Sequence, residues 1–243
     1  MSIDRTLAIA IRIVSQILRD RRSIGLIFVA PIMVMSLVGF SFADQRLVLD
    51  RVAPALIATF ALFFTFMLTG VSFLRERSQG TLERLLTTPV GRADILVGYL
   101  LGFLVFAAIQ SLVVLLYTIV ALQIDYQGSF AEMVVVLLVL TVAAVNLGIF
   151  VSTFARNEFQ VVQFIPVILA PQIFLSGVIL PVAQLPAYFQ AVSNVLPLTY
   201  AVSGLKAIML EGRGLSGAAG DIAVLTSFAV ALLALAALTV RRT

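Results

Sequence analysis

The residues specify an all-α integral membrane protein with six transmembrane helices. Three observations lead there. Hydrophobic residues make up 61% of the 243 and charged residues only 12%, with a mean hydropathy of +1.13. Globular domains carry about 25% charge, so this composition belongs to a chain with lipid on its outside. Six apolar stretches meet or approach the roughly 20 residues a helix needs to cross hydrocarbon. No Asp, Glu, Lys or Arg falls near the middle of any stretch, where each would cost about 2.5 to 3.5 kcal/mol.

The leader, residues 1–22, carries Arg5, Arg12, Arg19, Arg21 and Arg22, while Ile3, Leu7, Ile11, Val14 and Leu18 recur at helical spacing. The arginines mostly lie off this stripe, a pattern that predicts an amphipathic interfacial helix, with a solvated tail as the other reading. No convincing small-residue cleavage site follows, so the first apolar stretch reads as a retained span. The spans are expected at Ser23 to Phe42, Val52 to Leu74, Ile95 to Leu122, Glu132 to Phe154, Phe159 to Leu180 and Ala219 to Val240. What remains holds no segment large enough for a separate soluble domain, so 1–243 is read as a single domain.

Between the second and third spans lies the insert 75–91, RERSQGTLERLLTTPVG. Arg75, Glu76 and Arg77 are expected to stop the second span at the interface. Gly80 then loosens the backbone, and Thr81 to Thr88 reads as a short helix with Leu82, Leu85 and Leu86 on one face and Glu83, Arg84 and Thr87 towards the other. Pro89 and Gly91 end it, and Asp94 is an expected N-cap for the third span. Two readings are open on pattern alone: a helix that touches a soluble partner, or a charged loop that only anchors topology. Beyond the fifth span, 181–206 has apolar pieces too short to cross, punctuated by Pro181, Pro186 and Pro197. They predict interfacial or re-entrant helices, with Tyr188, Phe189 and Tyr200 suited to the membrane interface.

Lys and Arg are distributed twelve against four on alternate sides of the spans, which places both termini and the insert in the cytoplasm and the 181–206 hairpin outside. Six polar residues fall within or near the spans: Thr65, Thr69, Gln110, Asn146, Gln163 and Gln172. They are candidate pathway residues, and interhelical hydrogen bonding is the alternative. Gly98 and Gly102, and the stripe Ala144, Gly148 and Ser152, permit close helix packing. Pro166 and Pro171 are expected to bend or loosen the fifth span.

Glu76, Gly80, Thr81, Leu82, Glu83, Leu85 and Pro89 together match E-x-x-x-G-T-L-E-x-L-x-x-x-P, and on this motif the chain resembles the ABC-2 type (type-2 ABC exporter) transporter permeases. The order of parts matches over nearly the whole length. The resemblance implies that the insert is a coupling helix gripped by a separate ATP-binding subunit, that the outer-side re-entrant helical hairpin closes the pathway, and that two permease copies work with two ATPase subunits. Members typically export drugs, lipids or glycans, and this sequence looks most like the drug or antibiotic exporter group.

The chemistry of the residues agrees with a subunit that burns no fuel itself. There is no GxxxxGK[ST] loop, and the single lysine, Lys206, follows Leu205 where a phosphate-cradling loop needs glycine. ATP and Mg are therefore expected on the partner subunit, and no cofactor on this chain. With neither His nor Cys, the usual zinc, haem and iron-sulfur ligand sets cannot be built, and no catalytic or metal site is expected. An ion-coupled secondary transporter is disfavoured by the lack of carboxylates in the spans. A non-transporting membrane assembly factor stays open on composition.

Overall fold

The computed structural model describes residues 2–87 and 90–239, without the side chains at 21–23, 82, 83, 86 and 92. Within them the helices run α1 (Ile3–Arg19), α2 (Arg21–Ser41), α3 (Arg46–Ser78), α4 (Thr81–Leu86), α5 (Arg92–Val120), α6 (Phe130–Ser152) and α7 (Glu158–Leu175). A 3-10 turn (Val182–Gln184), α8 (Ala187–Ser193), α9 (Pro197–Met209) and α10 (Gly214–Thr239) follow, with no strand among the described residues. α2, α3, α5, α6, α7 and α10 are long and apolar enough to cross a membrane. These are the six stretches expected. Four ends differ from expectation by four residues or more, and two of them are starts: α3 begins at Arg46 rather than Val52, and α10 at Gly214 rather than Ala219. α3 does not stop at Leu74 but stays helical through Arg75, Glu76 and Arg77 to Ser78. α7 ends at Leu175, five residues early, because the chain turns away through Gly177 at φ +78°, a conformation glycine adopts without a Cβ clash. Pro166 and Pro171 sit inside α7 without ending it.

α3 and α6 form the centre, and small residues set their spacing. A Cβ on Gly148 of α6 would lie 2.9 Å from Thr69 Cβ and 3.1 Å from the backbone of Phe66 and Gly70 on α3, so only glycine lets these backbones approach so closely. Around this pair the apolar residues form two large clusters and a small third one of Leu74, Ala155 and Val161. One large cluster, towards the start of α3, gathers Ile57, Leu62, Leu115, Leu140 and Leu205; the other, towards its end, gathers Ile13, Phe73, Tyr99, Phe103 and Ile149.

The second cluster draws α1 into the bundle. Ile9, Ala10, Ile13 and Ile17 are buried, whereas Ile3, Leu7, Ile11 and Leu18 are left exposed. These exposed residues are four of the five in the stripe read from the sequence, whereas the fifth, Val14, packs against the second cluster; the four-residue repeat of Ile9, Ile13 and Ile17 is a second apolar face that seats on α5. Gly98 and Gly102 make room for it, since a Cβ on either would come within 2.8 Å of Ile9 or Ile13.

At the opposite end, α9 is a wedge rather than a surface piece. Nine of its thirteen residues are buried, and at about 1.5 Å per residue it is near 20 Å long, too short to cross. Gln172 of α7 accepts the Leu198 N–H (3.1 Å) at its start, and Lys206 Nζ donates to Gly177 O (2.6 Å) beyond the α7 terminus. The first bond satisfies an N–H that a helix start leaves without an internal partner. Tyr188 and Phe189 are exposed, while the Tyr200 hydroxyl donates to Asn194 O (2.9 Å).

Candidate functional site

The sequence reads Arg75, Glu76 and Arg77 as a boundary. In three dimensions each of the three side chains reaches a different part of the bundle. Glu76 is 2% exposed, and its Oε2 accepts from Arg12 of α1 and from the Tyr99 hydroxyl of α5 (2.7 Å); Arg12 Nη2 also donates to Tyr99 Oη (2.8 Å). A buried carboxylate needs such partners, because without them it would have to give up its charge. Phe73 stands edge-on to the Tyr99 ring at 5.2 Å, closing the apolar side. Arg75 Nε donates to Glu158 Oε1 (3.0 Å) at the start of α7 and lies 3.9 Å from Asp20 just after α1. Arg77 donates to the carbonyls of Thr153 (2.9 Å) and Ala155 (3.2 Å) where α6 ends, the terminus at which a cation is favoured. The last turn of α3 therefore ties α1, α5, α6 and α7 together.

α1 and α5 are joined a second time. Asp94 is not the N-cap of α5, as expected, but its third residue; Gly91 is the N-cap. The carboxylate accepts from Gly91 N (3.1 Å) and from Ser2 N (2.9 Å), so one side chain holds the starts of both helices.

α4 hangs from this joint. Gly80 sits between α3 and α4 at φ +69°, a left-handed conformation that costs other residues roughly 1–2 kcal/mol. Thr81 begins the six-residue helix, Leu85 packs against the cluster containing Tyr99, and Arg84 is exposed. Of the motif, Glu76, Gly80, Thr81 and Leu85 are thus placed. Pro89, with Thr88, lies outside the described residues, as do the side chains of Leu82 and Glu83 and the terminal Arg241 and Arg242. Glu76 points inward to Arg12 and Tyr99 rather than outward from the insert. Sequence reasoning missed Arg12 and Tyr99; the signal available was a tyrosine in an otherwise apolar stretch, since a buried phenol needs a hydrogen-bond partner.

The six candidate pathway residues divide. Gln172 is engaged with α9, and Gln163 is exposed on α7. Thr65, Thr69, Gln110 and Asn146 are buried between helices. Asn146 Nδ2 donates to Ala229 O of α10 (2.9 Å), but Asn146 Oδ1, both Thr hydroxyls, both Gln110 amide atoms and the Ser111 hydroxyl have no hydrogen-bond partner among the described residues. Thr65 lies eleven residues before Glu76 on α3, and Gln110 eleven after Tyr99 on the antiparallel α5. At about 1.5 Å rise per residue, both therefore stand near 16 Å above the joint, at one depth.

A family model described as ABC-2 type transporter matches residues 5–210, a stretch that begins in α1 and ends just beyond α9. The chain belongs to the ABC-2 type transporter family. This ABC-2 chain is 30% identical over 164 residues to the probable multidrug ABC transporter permease YbhR of Escherichia coli (strain K12), covering 68% of this chain and 45% of that protein. It is 30% identical over 175 residues to the linearmycin resistance permease protein LnrN of Bacillus subtilis (strain 168), covering 71% and 45%. With ABC transporter G family member 20 of Dictyostelium discoideum it shares 30% over 167 residues, covering 69% and 23%. The matched regions span less than half the length of these relatives.

Proposed function

We propose that this ABC-2 chain is the membrane-spanning permease subunit of an ATP-driven exporter, moving a hydrophobic or amphipathic substrate such as a drug, an antibiotic, a lipid or a glycan-lipid across the plasma (inner) membrane. A separate ABC ATPase subunit binds α4 from the cytoplasm, supplies ATP and Mg, and closes as a pair beneath two permease copies. The observation that carries this reading is the path from α4 to the bundle. α4 is joined through Gly80 to a turn of α3 whose Arg75, Glu76 and Arg77 reach four other helices. A push on α4 moves all of them together, which is what coupling requires: a partner state that favours one arrangement of the helices over another.

α7 supports a second permease copy beside the first. Its exposed stripe holds Gln163 with Pro166 and Pro171, and each proline removes the N–H that would bond a carbonyl four residues earlier, at Val162 and Val167. Polar groups of that kind are costly against lipid tails and suit a protein-lined or wet pathway. The names of the relatives, multidrug permease and resistance permease, favour a drug-like cargo for this chain.

The test is co-purification from membranes of the source cells. The native chain is expected to bring an ATPase with a nucleotide-binding loop, and Glu83→Lys to lose most of it while still inserting. Full ATPase recovery and full export with Glu83→Lys would remove α4 from the mechanism.

A further inference from the structure

The face of α3 that carries Glu76 continues away from the joint as a line of polar groups. Thr69 and Thr65 stand seven and eleven residues before Glu76, about two and three helical turns, so the three share one face. Gln110 stands eleven residues after Tyr99 on α5 and shares the face of Tyr99 in the same way. Glu76 and Tyr99 meet through a hydrogen bond, so these two faces are turned towards each other, with Thr65 and Gln110 opposed at one depth. Thr65 and Thr69 are 0% exposed and Gln110 is 1% exposed. Yet neither hydroxyl, and neither amide atom of Gln110, has a hydrogen-bond partner among the described residues.

Other hydroxyls on the same helices show what a dry setting demands. Thr59 of α3 and Thr118 of α5 are buried too, and each donates to the carbonyl four residues earlier at 2.7 Å, the local bond open to a hydroxyl within a helix. Thr65 and Thr69 do not take that bond, and Gln110 has no such local resort. Away from water, unpaired groups of this kind are costly. Whatever pairs them must accept from Gln110 Nε2 and donate to Gln110 Oε1, while each hydroxyl can take either part. A metal cation cannot accept and a fully ionised anion cannot donate, whereas water does both and commonly makes about three bonds in a buried site. We propose that water is bound here between α3 and α5, bridging the Gln110 amide to Thr65 and Thr69. The two helices, bonded directly at the joint, are then bonded three turns above it through a molecule that can reorient or leave. The site needs neither an ATPase nor a cargo, so it stands or falls apart from the export reading.

The test reads the water directly. The purified full chain, with nitrogen-15 in its glutamine side chains and alanine amides, is placed in phosphatidylcholine bilayers, and solid-state NMR follows magnetisation passing from water protons to each nitrogen. The Gln110 signal is the one lost in Gln110→Met. In the native chain it should fill severalfold faster than the amide of Ala58, which is also fully buried on α3. Thr65→Val should slow that filling about twofold or more, whereas Thr59→Val, whose hydroxyl already bonds Ala55 O, should leave it unchanged. Gln110→Met should raise the unfolded fraction severalfold, because a satisfied amide is lost; removal of an unsatisfied one would lower it. Should Thr65→Val fail to fold, the native filling rate and the Gln110→Met shift carry the test. The proposal is overturned by Gln110 filling as slowly as Ala58, by equal effects of Thr65→Val and Thr59→Val, or by a Gln110→Met chain more stable than the native one.

Discussion

Glu76, Arg12 and Tyr99 form a group in which each member hydrogen-bonds the other two, so their energies are not additive. Arg12 is 34% open to solvent in its side chain, which lowers the cost of breaking the pair below the 3–5 kcal/mol of a fully buried one, to about 2 kcal/mol for Glu76→Ala. Tyr99→Phe removes a hydroxyl that donates one bond and accepts another, and about 1–1.5 kcal/mol should go with it. In a double-mutant cycle on Arg12→Ala and Glu76→Ala, reversible unfolding in bicelles should give a coupling of about 1 kcal/mol or more. Additive losses would show that the pair is not a unit. None of this group was legible beyond Glu76, because its members stand 23, 64 and 87 residues apart. Residue types alone marked Glu76 as motif, Arg12 as one of several leader arginines, and Tyr99 as part of a span.

The six spanning helices were legible because crossing hydrocarbon demands a length and an apolarity that few other structures need. Their ends were less so. Arg75 to Arg77 read as a stop because isolated charges are costly in lipid, yet Glu158, Thr153 and Tyr99 receive them and α3 continues. α1 was half legible: its exposed stripe of Ile3, Leu7, Ile11 and Leu18 stood out, while Ile9, Ile13 and Ile17 gain meaning only once Gly98 and Gly102 of α5 lie opposite. The close fit gives a sharp prediction. In Gly98→Val the new side chain meets Ile9 and the Thr6 carbonyl, a clash worth about 1–3 kcal/mol that α1 can relieve only by lifting. Trypsin should then cut at Arg12 faster than in the native chain, whereas the same substitution at Gly220, where a Cβ meets nothing within 4 Å, should leave the rate unchanged. Equal cutting in both variants would place α1 off α5.

Across the whole molecule, two apolar clusters stacked along α3 and α6 make a bundle that α9 wedges at one end and the joint ties at the other. Only the charge bias speaks to which end faces the cytoplasm, and the absence of cysteine makes it easy to check. Arg84→Cys, on exposed α4, should react with an impermeant maleimide only from the cytoplasmic side, and Arg51→Cys, near the start of α3, only from the outer side. The reverse pattern would invert the topology and the role of α4 with it. Transmission is tested most directly by nitroxides at Leu47→Cys and Val120→Cys, exposed positions at the far ends of α3 and α5. In the complex with its ATPase, trapping the nucleotide-bound state should shift their distance by several ångströms; Glu76→Gln should abolish that shift while the ATPase still co-purifies. An undiminished shift in Glu76→Gln would contradict a joint through which α4 moves the bundle.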